Sequence, residues 1–144
     1  MNEITLIIPA KNEAESLPRV LDELKNYSYN INVILHPSDE STIKAIKDYN
    51  IKIIYQKNYG YGDALIEGIN NCNSKFFCIF NADGSFNPVE INLMEKLMIK
   101  DKLDLVFASR YEKNSSSDDD TIITLIGNYI FTLLGKIFFK LTIT

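Results

Sequence analysis

The sequence contains few of the residues that build metal centres or nucleophilic sites: one histidine and two cysteines among 144 residues. Cys72 and Cys78 lack metal-ligand spacing, and we interpret them as reduced packing residues. His36 has no partner at such a spacing either, and we interpret it as a loop residue. No Ser/His/Asp or Cys/His set is apparent, so nothing in the sequence indicates nucleophilic catalysis.

The chain also has fewer basic than acidic residues. The chain has 15 lysines and arginines against 19 aspartates and glutamates, a net charge of −4. Non-specific nucleic-acid binding needs a basic face, so we expect no nucleic-acid partner. A GxxxxGK phosphate loop and internal repeats are absent from the sequence. The first residues lack the basic region of a signal peptide, which predicts a cytoplasmic location.

Short apolar runs alternate with helix-like stretches along the chain. The runs are rich in Ile, Val and Phe and are apolar on both faces, as are strands of a parallel sheet covered by helices. We predict strands at 4–8, 31–35, 51–55, 76–80 and 104–108, and helices at roughly 14–26, 40–49, 62–72 and 88–99. This alternation indicates an α/β fold, with a Rossmann-like, mostly parallel sheet flanked by helices.

Ligands of such sheets bind outside the carboxyl ends of the strands. The segments that follow the predicted strands are polar, and they lie at 9–13, 36–40, 56–63, 81–83 and 109–111. Because the ends of parallel strands meet at one edge, these segments predict a binding site there. Polar loops at this edge are common to α/β domains, so the chemistry must come from particular residues.

The Asn-Ala-Asp sequence at 81–83 directly follows the fourth predicted strand. In an extended segment, residues two apart point to the same side, so Asn81 and Asp83 can face one point. Hard divalent cations take oxygen ligands, often one or two from the protein, with phosphates and water completing the shell. The tripeptide is therefore either a metal–diphosphate clamp or an Asx-turn that caps the next helix.

Two other features have more than one interpretation. The Gly-Tyr-Gly sequence at 60–62 opens a predicted helix, with Asp83 about 20 residues on, as in a dinucleotide-binding fingerprint. Leu65 occupies the third glycine position, however, and the loop follows the third strand, which favours two glycines that shape a tight turn. Glu13 either belongs to a site or interacts with the dipole of the helix that follows it.

Together these segments resemble the family-2 glycosyltransferases, especially the polyprenyl-phosphate branch with its dolichol-phosphate mannose and glucose synthases. ITLIIPAKNEAESLPRVLDEL at 4–24 is similar to the family's opening strand, Pro-x-x-Asn-Glu loop and helix. NYGYGDALIEGI at 58–69 resembles its Asn-x-Gly-x-Gly helix start, and FNADGSFNP at 80–88 resembles its Asp-Ala-Asp metal motif. FASRY at 107–111 is similar to its Gly-Ser-Arg-Tyr strand end.

The resemblance implies a GT-A (nucleotide-diphospho-sugar transferase) fold and inverting transfer from a nucleotide-diphosphate sugar to an acceptor, with a polyprenyl phosphate favoured. It implies Mg²⁺ or Mn²⁺ as cofactor, with Asp83, Asn81 and Ser85 as ligands. It implies catalytic roles for Asp83 and Arg110, and Arg110 would face the acceptor phosphate. The substrate-binding residues that it implies are Pro9, Ala10, Lys11, Asn12, Glu13, Asp39, Asn58, Asp63, Asn81, Ala82, Asp83 and Arg110.

The sequence departs from the family pattern at three places. Leu-His-Pro at 35–37 stands where the family usually has an Asp pair, which loses an acidic contact to the nucleoside unless Asp39 or Glu40 replaces it. Asn81 replaces the first Asp of the metal motif. The family's catalytic domain normally continues beyond Thr144, so we expect a truncated version. These departures keep open a non-catalytic nucleotide-binding remnant, whereas a nucleotide-sugar pyrophosphorylase would require a Gly-rich loop directly after the first strand.

Residues 121–143 are apolar and open the second of two predicted parts, 121–144, which follows a nucleotide-sugar-binding domain at 1–120. A polar residue recurs at every fourth position: Thr124, Asn128, Thr132, Lys136 and Lys140. On a helix these positions form one narrow stripe. The stripe favours a helix lying in a membrane interface, with its lysines toward phosphate headgroups, over a core-packing helix or a membrane span. We therefore expect a peripheral association with the cytoplasmic membrane face.

Overall fold

The computed structural model describes residues 3–108 and 122–139. The elements, in chain order, are β1 (Ile4–Pro9), α1 (Leu17–Leu24), β2 (Asn30–Leu35), α2 (Glu40–Ile46), β3 (Lys52–Tyr55), α3 (Tyr61–Asn70), β4 (Phe76–Ile79), α4 (Pro88–Asp101) and α5 (Ile122–Phe139). The chain divides into two units, Met1–Leu93 and Met94–Thr144, and the first contains all four strands. The division at residue 120 stays a prediction.

The four strands form one parallel sheet in the order β3-β2-β1-β4. β1 pairs on both sides: Ile7 lies opposite Asn32 of β2 and opposite Ile79 of β4. Each connection between strands passes through a helix, since parallel strands cannot be joined by a tight turn. The predicted α/β fold with a mostly parallel sheet is confirmed.

Four of the predicted strands are confirmed, each within one residue at either end. The fifth, at 104–108, is wrong, because these residues form no strand. A strand needs a neighbour that completes its ladder of hydrogen bonds. Leu105 and Phe107 are instead 63% and 78% exposed. Apolar, β-branched and aromatic composition alone was therefore not sufficient evidence for a strand.

The first helix is shorter than predicted. It begins at Leu17, with Pro18 in its first turn. A helix that began at residue 14 would have placed Pro18 in its interior, where the proline ring clashes with the carbonyl four residues earlier. The apolar stripe that identified the helix is buried as expected, with Leu17, Val20, Leu21 and Leu24 in the core.

The sheet has an apolar core on each face. Side chains alternate across a strand, so Leu6 and Ile8 pack in one cluster with α1, and Ile7 and Ile34 pack in another with Ala64 of α3. The four side chains from the strands are fully buried. Burial on both faces explains why each strand appears in the sequence as a continuous apolar run.

The last helix, α5, belongs to the second unit and runs over 18 residues. Asn128, Thr132 and Lys136 lie four residues apart on one side of it. Phe131 and Phe138 are 75% and 72% exposed. Within the described ranges, no helix combines the length and the hydropathy that crossing a bilayer requires. The helix is confirmed, and its position in a membrane interface stays a prediction.

Helix α3 lies directly on the sheet at Gly68. A Cβ atom at this position would come within 2.5 Å of Ile7 Cγ2 and 3.0 Å of Ile34 Cδ1. Both isoleucines are fully buried, so neither can move without disturbing the core around it. Because glycine has no side chain, residue 68 allows α3 to approach the strands this closely.

The variant Gly68→Ala should destabilise the fold by up to about 2 kcal/mol. Overpacking costs roughly 1–3 kcal/mol, and the ~1 kcal/mol that alanine gains over glycine in a helix offsets part of this cost. Gly62→Ala is the matched control in the same helix, because nothing lies within 4 Å of its added Cβ. It should be neutral or slightly stabilising. Urea unfolding measures both, and equal effects of the two substitutions would contradict the close contact at Gly68.

Candidate functional site

A cavity of about 500 Å³ lies at the carboxyl ends of the strands. Hydrogen bonds continue the sheet up to it, with Ala10 N–H donating to the carbonyl of Ile34 at 2.8 Å and Phe80 N–H to the carbonyl of Ile7 at 2.9 Å. The lining residues are Pro9, Ala10, Lys11, Asn12, Glu13, His36, Ser38, Asp39, Gln56, Tyr59, Gly60, Tyr61, Ala64, Asn81, Ala82 and Asp83. The loops that follow β1 to β4 thus meet at one place.

The cavity brings together most of the residues to which the sequence resemblance points. Residues 9–13, Asp39 and 81–83 line it, whereas Asn58, Asp63 and Ser85 do not. Arg110 lies outside the described residues. Further lining residues, not selected from the sequence, are His36, Ser38, Gln56, Tyr59, Gly60, Tyr61 and Ala64. All of these except Ala64 belong to the loops expected at this edge, and Gly60 is also part of the Asn-x-Gly-x-Gly motif.

Asp39 joins the loop after β1 to the start of α2. Its Oδ2 accepts the N–H of Asn12 at 2.7 Å, and its Oδ1 accepts the N–H of Thr42 at 3.2 Å, which caps α2. The fully buried hydroxyl of Thr42 accepts the N–H of Glu13 at 3.0 Å. These bonds hold Asn12 at φ 60°, a left-handed conformation that asparagine tolerates better than most residues.

The carboxyl group of Asp39 is held in its ionised form. Burial raises its pKa, but the N–H of Asn12, the side chain and N–H of Thr42, and the hydroxyl of Ser41 together lower it below its ordinary value. Both oxygens of Asp39 accept hydrogen bonds from the protein itself. Asp39 is therefore a positioning residue for the loop that forms one wall of the cavity.

Asp63 closes the loop before α3 in a similar way. Its Oδ2 accepts the N–H of Asn58 at 3.0 Å, and its Oδ1 accepts Nδ2 of the same residue at 2.9 Å. Donation from the Asn58 side chain, and then from its backbone, lowers the pKa of Asp63. Gly60 has φ 115°, which residues with a Cβ rarely adopt. Tyr59 belongs to this loop and lines the cavity.

The segment after β4 folds into a tight turn beside the cavity. The N–H of Ser85 donates to Asp83 Oδ1 at 2.9 Å, which is an Asx-turn, and Nδ2 of Asn81 hydrogen-bonds to the Ser85 hydroxyl at 3.1 Å. Asn81 and Asp83 both line the cavity. The turn and a role in a site are therefore compatible, because the turn orients the same side chains that border the cavity.

Two aromatic rings stack at the cavity. The centroids of His36 and Tyr59 are 4.0 Å apart, and their planes differ by 21°. The backbone N–H of Ser38 donates to His36 Nδ1 at 3.2 Å. The hydroxyl of Ser38 lies 2.6 Å from the same nitrogen, so two groups of Ser38 hold the His36 ring in place.

The sequence model of glycosyl transferase family 2 matches residues 5–143, a range that includes every residue lining the cavity. The chain belongs to this family. Its parallel sheet, flanking helices and cavity at the carboxyl edge correspond to the Rossmann-like GT-A fold of family-2 glycosyltransferases. No solved structure matches the chain.

Several curated proteins are similar to this family-2 chain. A UDP-N-acetylglucosamine–dolichyl-phosphate N-acetylglucosaminyltransferase of Methanococcus voltae is 28% identical, over 92% of this chain and 63% of its own. A dolichyl-phosphate β-glucosyltransferase of Dictyostelium discoideum is 31% identical, over 67% and 36%. An undecaprenyl-phosphate 4-deoxy-4-formamido-L-arabinose transferase of Proteus mirabilis is 27% identical, over 63% and 32%. The chain thus spans only part of each relative.

Family-2 glycosyltransferases generally use a divalent metal. Asp83 offers a carboxylate oxygen and Asn81 an amide oxygen at the same cavity. Within residues 3–108 and the described side chains of α5, no group of three His, Cys, Asp or Glu side chains could form a complete metal cage. The residues present therefore fit a hard cation that takes its remaining ligands from phosphates and water.

The positioning role of Asp39 predicts a loss of stability in Asp39→Ala, by about 1–2 kcal/mol, because the substitution removes the cap of α2 and the acceptor for Asn12. Asp39→Asn should cost less, since its amide oxygen can still accept one of these bonds. Urea unfolding at neutral pH measures the difference. Glu40→Ala, next to Asp39 in the first turn of α2, is the control, and an equal loss there would contradict the assignment.

The lowered pKa of Asp39 also predicts a pH dependence. A carboxyl whose pKa is lower in the folded state stabilises the fold above its unfolded value of about 3.9 and loses this effect as pH falls through the folded value. The stability difference between the wild type and Asp39→Asn should stay constant above about pH 5 and shrink below about pH 4. A difference that persists unchanged at about pH 2 would argue against it.

Proposed function

We propose that the chain binds a nucleotide-diphosphate sugar and forms the donor-binding part of an inverting glycosyltransferase whose acceptor is a polyprenyl phosphate. The cavity carries this proposal, since residues 9–13, the loop at 56–61 and residues 81–83 surround one space of about 500 Å³. Dolichyl phosphate and undecaprenyl phosphate in the names of the relatives support the acceptor class.

On the donor side, residues 9–13 would contact the nucleoside, and Asp39 would hold this loop in place. Asn58 and Asp63, which bind each other, would act in the same way on the loop before α3. Residues 81–83 would border the diphosphate, with Asp83 and Asn81 as ligands of Mg²⁺ or Mn²⁺. Ser85 would complete the turn that orients both side chains.

The reaction would break the bond from the anomeric carbon to the diphosphate and form one to the acceptor oxygen on the opposite face of the sugar. A bound cation would neutralise the charge that develops on the departing diphosphate. A lipid phosphate is already an anion at neutral pH, so it needs no general base, whereas a sugar hydroxyl would need a carboxylate within reach. Arg110 would hold the acceptor phosphate through two parallel hydrogen bonds.

The acceptor would require contact with a membrane, and α5 is suited to make it. Its stripe of polar residues includes Lys136, while Phe131 and Phe138 are largely exposed apolar side chains. A helix of this kind can lie at the headgroup level, with its apolar side in the lipid and its lysine near the phosphates. We therefore propose a peripheral position on the cytoplasmic face of the membrane.

A second candidate is a domain that binds a nucleotide without transferring sugar. Asn81 favours it, because an amide oxygen carries no charge and holds a hard cation less well than a carboxylate. The two candidates differ in their dependence on metal. A transferase donor site should bind nucleoside diphosphate more tightly with Mn²⁺, whereas a remnant should not respond to the metal.

Asp83→Asn should abolish metal-dependent binding of UDP or GDP, since it removes the negative charge while an oxygen remains to accept the N–H of Ser85. Asn81→Asp should strengthen the metal dependence, because it adds a second carboxylate. Calorimetric titration of the nucleoside diphosphates with and without Mn²⁺ measures both. Asp48→Asn, an exposed carboxylate outside the cavity, is the control for charge. Unchanged metal dependence in Asp83→Asn would remove the motif from the site.

The full chain should pellet with vesicles that contain anionic lipid, and high salt should weaken this association because it screens the lysines. Lys136→Glu should reduce pelleting several-fold, since each basic residue near an anionic surface contributes about 1 kcal/mol. Lys100→Glu in the last turn of α4 gives the same change of net charge at another place and should have less effect. A full chain that stays in the supernatant at low salt would show that α5 does not lie in an interface.

A further inference from the structure

We propose that two copies of this chain associate through β4, whose open edge pairs antiparallel with the same strand of the second copy. The inference concerns assembly and does not depend on the proposed function. β4 lies at one end of the strand order β3-β2-β1-β4. Within residues 3–108 and 122–139 it pairs with β1 alone, so one of its two sides has no neighbouring strand.

The first argument is the direction of the backbone groups of β4. Successive residues of a strand point these groups alternately to its two sides. The N–H groups of Phe76 and Phe80 donate to carbonyl oxygens on the side of β1, both at 2.9 Å. The backbone groups of Phe77 and Ile79 therefore point to the open side. Backbone groups along an open edge are a template for a further strand.

The second argument is that β4 lacks the features that protect natural edge strands. Residues 76–80 contain no charged residue and no proline, whereas β3, at the opposite edge, contains Lys52. Phe77 and Ile79 are 45% and 37% exposed, on the side of the sheet where Ile7 is fully buried. An added strand would cover both apolar side chains, so burial favours the pairing as well as the backbone hydrogen bonds.

The third argument is that this strand is complementary to itself. A two-fold axis brings each side chain close to its own copy, so a charged edge would repel itself, and residues 76–80 carry no charge. Groups that point outward must face each other. The register that overlaps residues 76–80 completely then sets Phe77 opposite Ile79 of the second copy, twice. Cys78 lies on the axis, opposite Cys78 of the second copy in a non-hydrogen-bonded pair.

The native cysteines test this register. The Cα atoms of a non-hydrogen-bonded pair are about 4.5 Å apart, within the range of about 4.4–6.8 Å that a disulfide spans. Burial raises the pKa of the Cys78 thiol, so diamide, which takes up the two thiol hydrogens, is added at mildly alkaline pH. Cys72→Ser should form the covalent dimer as the wild type does, and Cys78→Ser should lose it. Both cysteines are partly buried, which makes the two variants a matched pair.

Charged substitutions test the pairing without a cross-link. Phe77→Lys should raise the dissociation constant of the dimer about tenfold, because the contact is lost twice across the axis. Phe77→Lys with Ile79→Glu should restore the affinity, since opposite charges then face each other, whereas Phe77→Lys with Ile79→Lys should not. Ile66→Lys, at an exposed isoleucine of α3, is the control and should have no effect. Sedimentation equilibrium of the full chain under reducing conditions measures all four.

Three outcomes would contradict the inference. A wild-type chain that stays monomeric as its concentration rises has no such interface. A dimer that tolerates Phe77→Lys, or that Cys78→Ser still cross-links, forms through another surface. Equal losses in Phe77→Lys and in both double variants would mean that residues 77 and 79 do not face each other, and the register is then wrong. Restoration by the lysine–glutamate pair also shows that the single substitution does not unfold the strand.

Discussion

The parallel pairing of β1 with both of its neighbours is the constraint on which the site depends. Strands that run in the same direction end at the same edge, so the loops after them must meet. The hydrogen bonds continue past the strands, from Ala10 to Ile34 and from Phe80 to Ile7, and they fix where each loop begins. The two apolar cores also favour this register, because a shift by one residue would move Leu6 into the core beside α3 and Ile7 into the core beside α1, where neither side chain fits the existing packing.

The loops at the cavity are further held by polar side chains whose hydrogen bonds are made within the protein. Asp39 anchors the loop after β1, and Asp63 anchors the loop before α3 through Asn58. Both carboxylates have lowered pKa values, and in both the hydrogen-bond donors are groups of the protein itself. Such loops do not need to order when a ligand arrives, which reduces the free-energy cost of binding.

The strands of the sheet could be predicted from the sequence because burial on two faces leaves continuous apolar runs. The prediction failed at 104–108, where the composition of a strand occurs without a partner to complete its hydrogen bonds. The residues of the cavity followed from the ends of the strands and from the family resemblance.

The pairing among the polar residues of the loops was not predictable. The bond from Asn12 to Asp39 spans 27 positions, and no local pattern encodes it. Nor could composition show that Tyr59 lies against His36, since that contact depends on the conformation of two loops. Motifs thus indicated where a site lies, and only coordinates showed which of its side chains are already engaged.

The contact at Gly68 has a consequence for the cavity that lies two helical turns away. Helix α3 is a stiff rod, and its first residue, Tyr61, lines the cavity about 10 Å along the axis from Gly68. A change in the packing of residue 68 against Ile7 and Ile34 would tilt α3. The tilt would displace the N-terminal end of the helix, together with Gly60 and Ala64. The packing of one glycine on the apolar interior thereby influences the width of the cavity, which is bordered by Ala64 of the same core cluster.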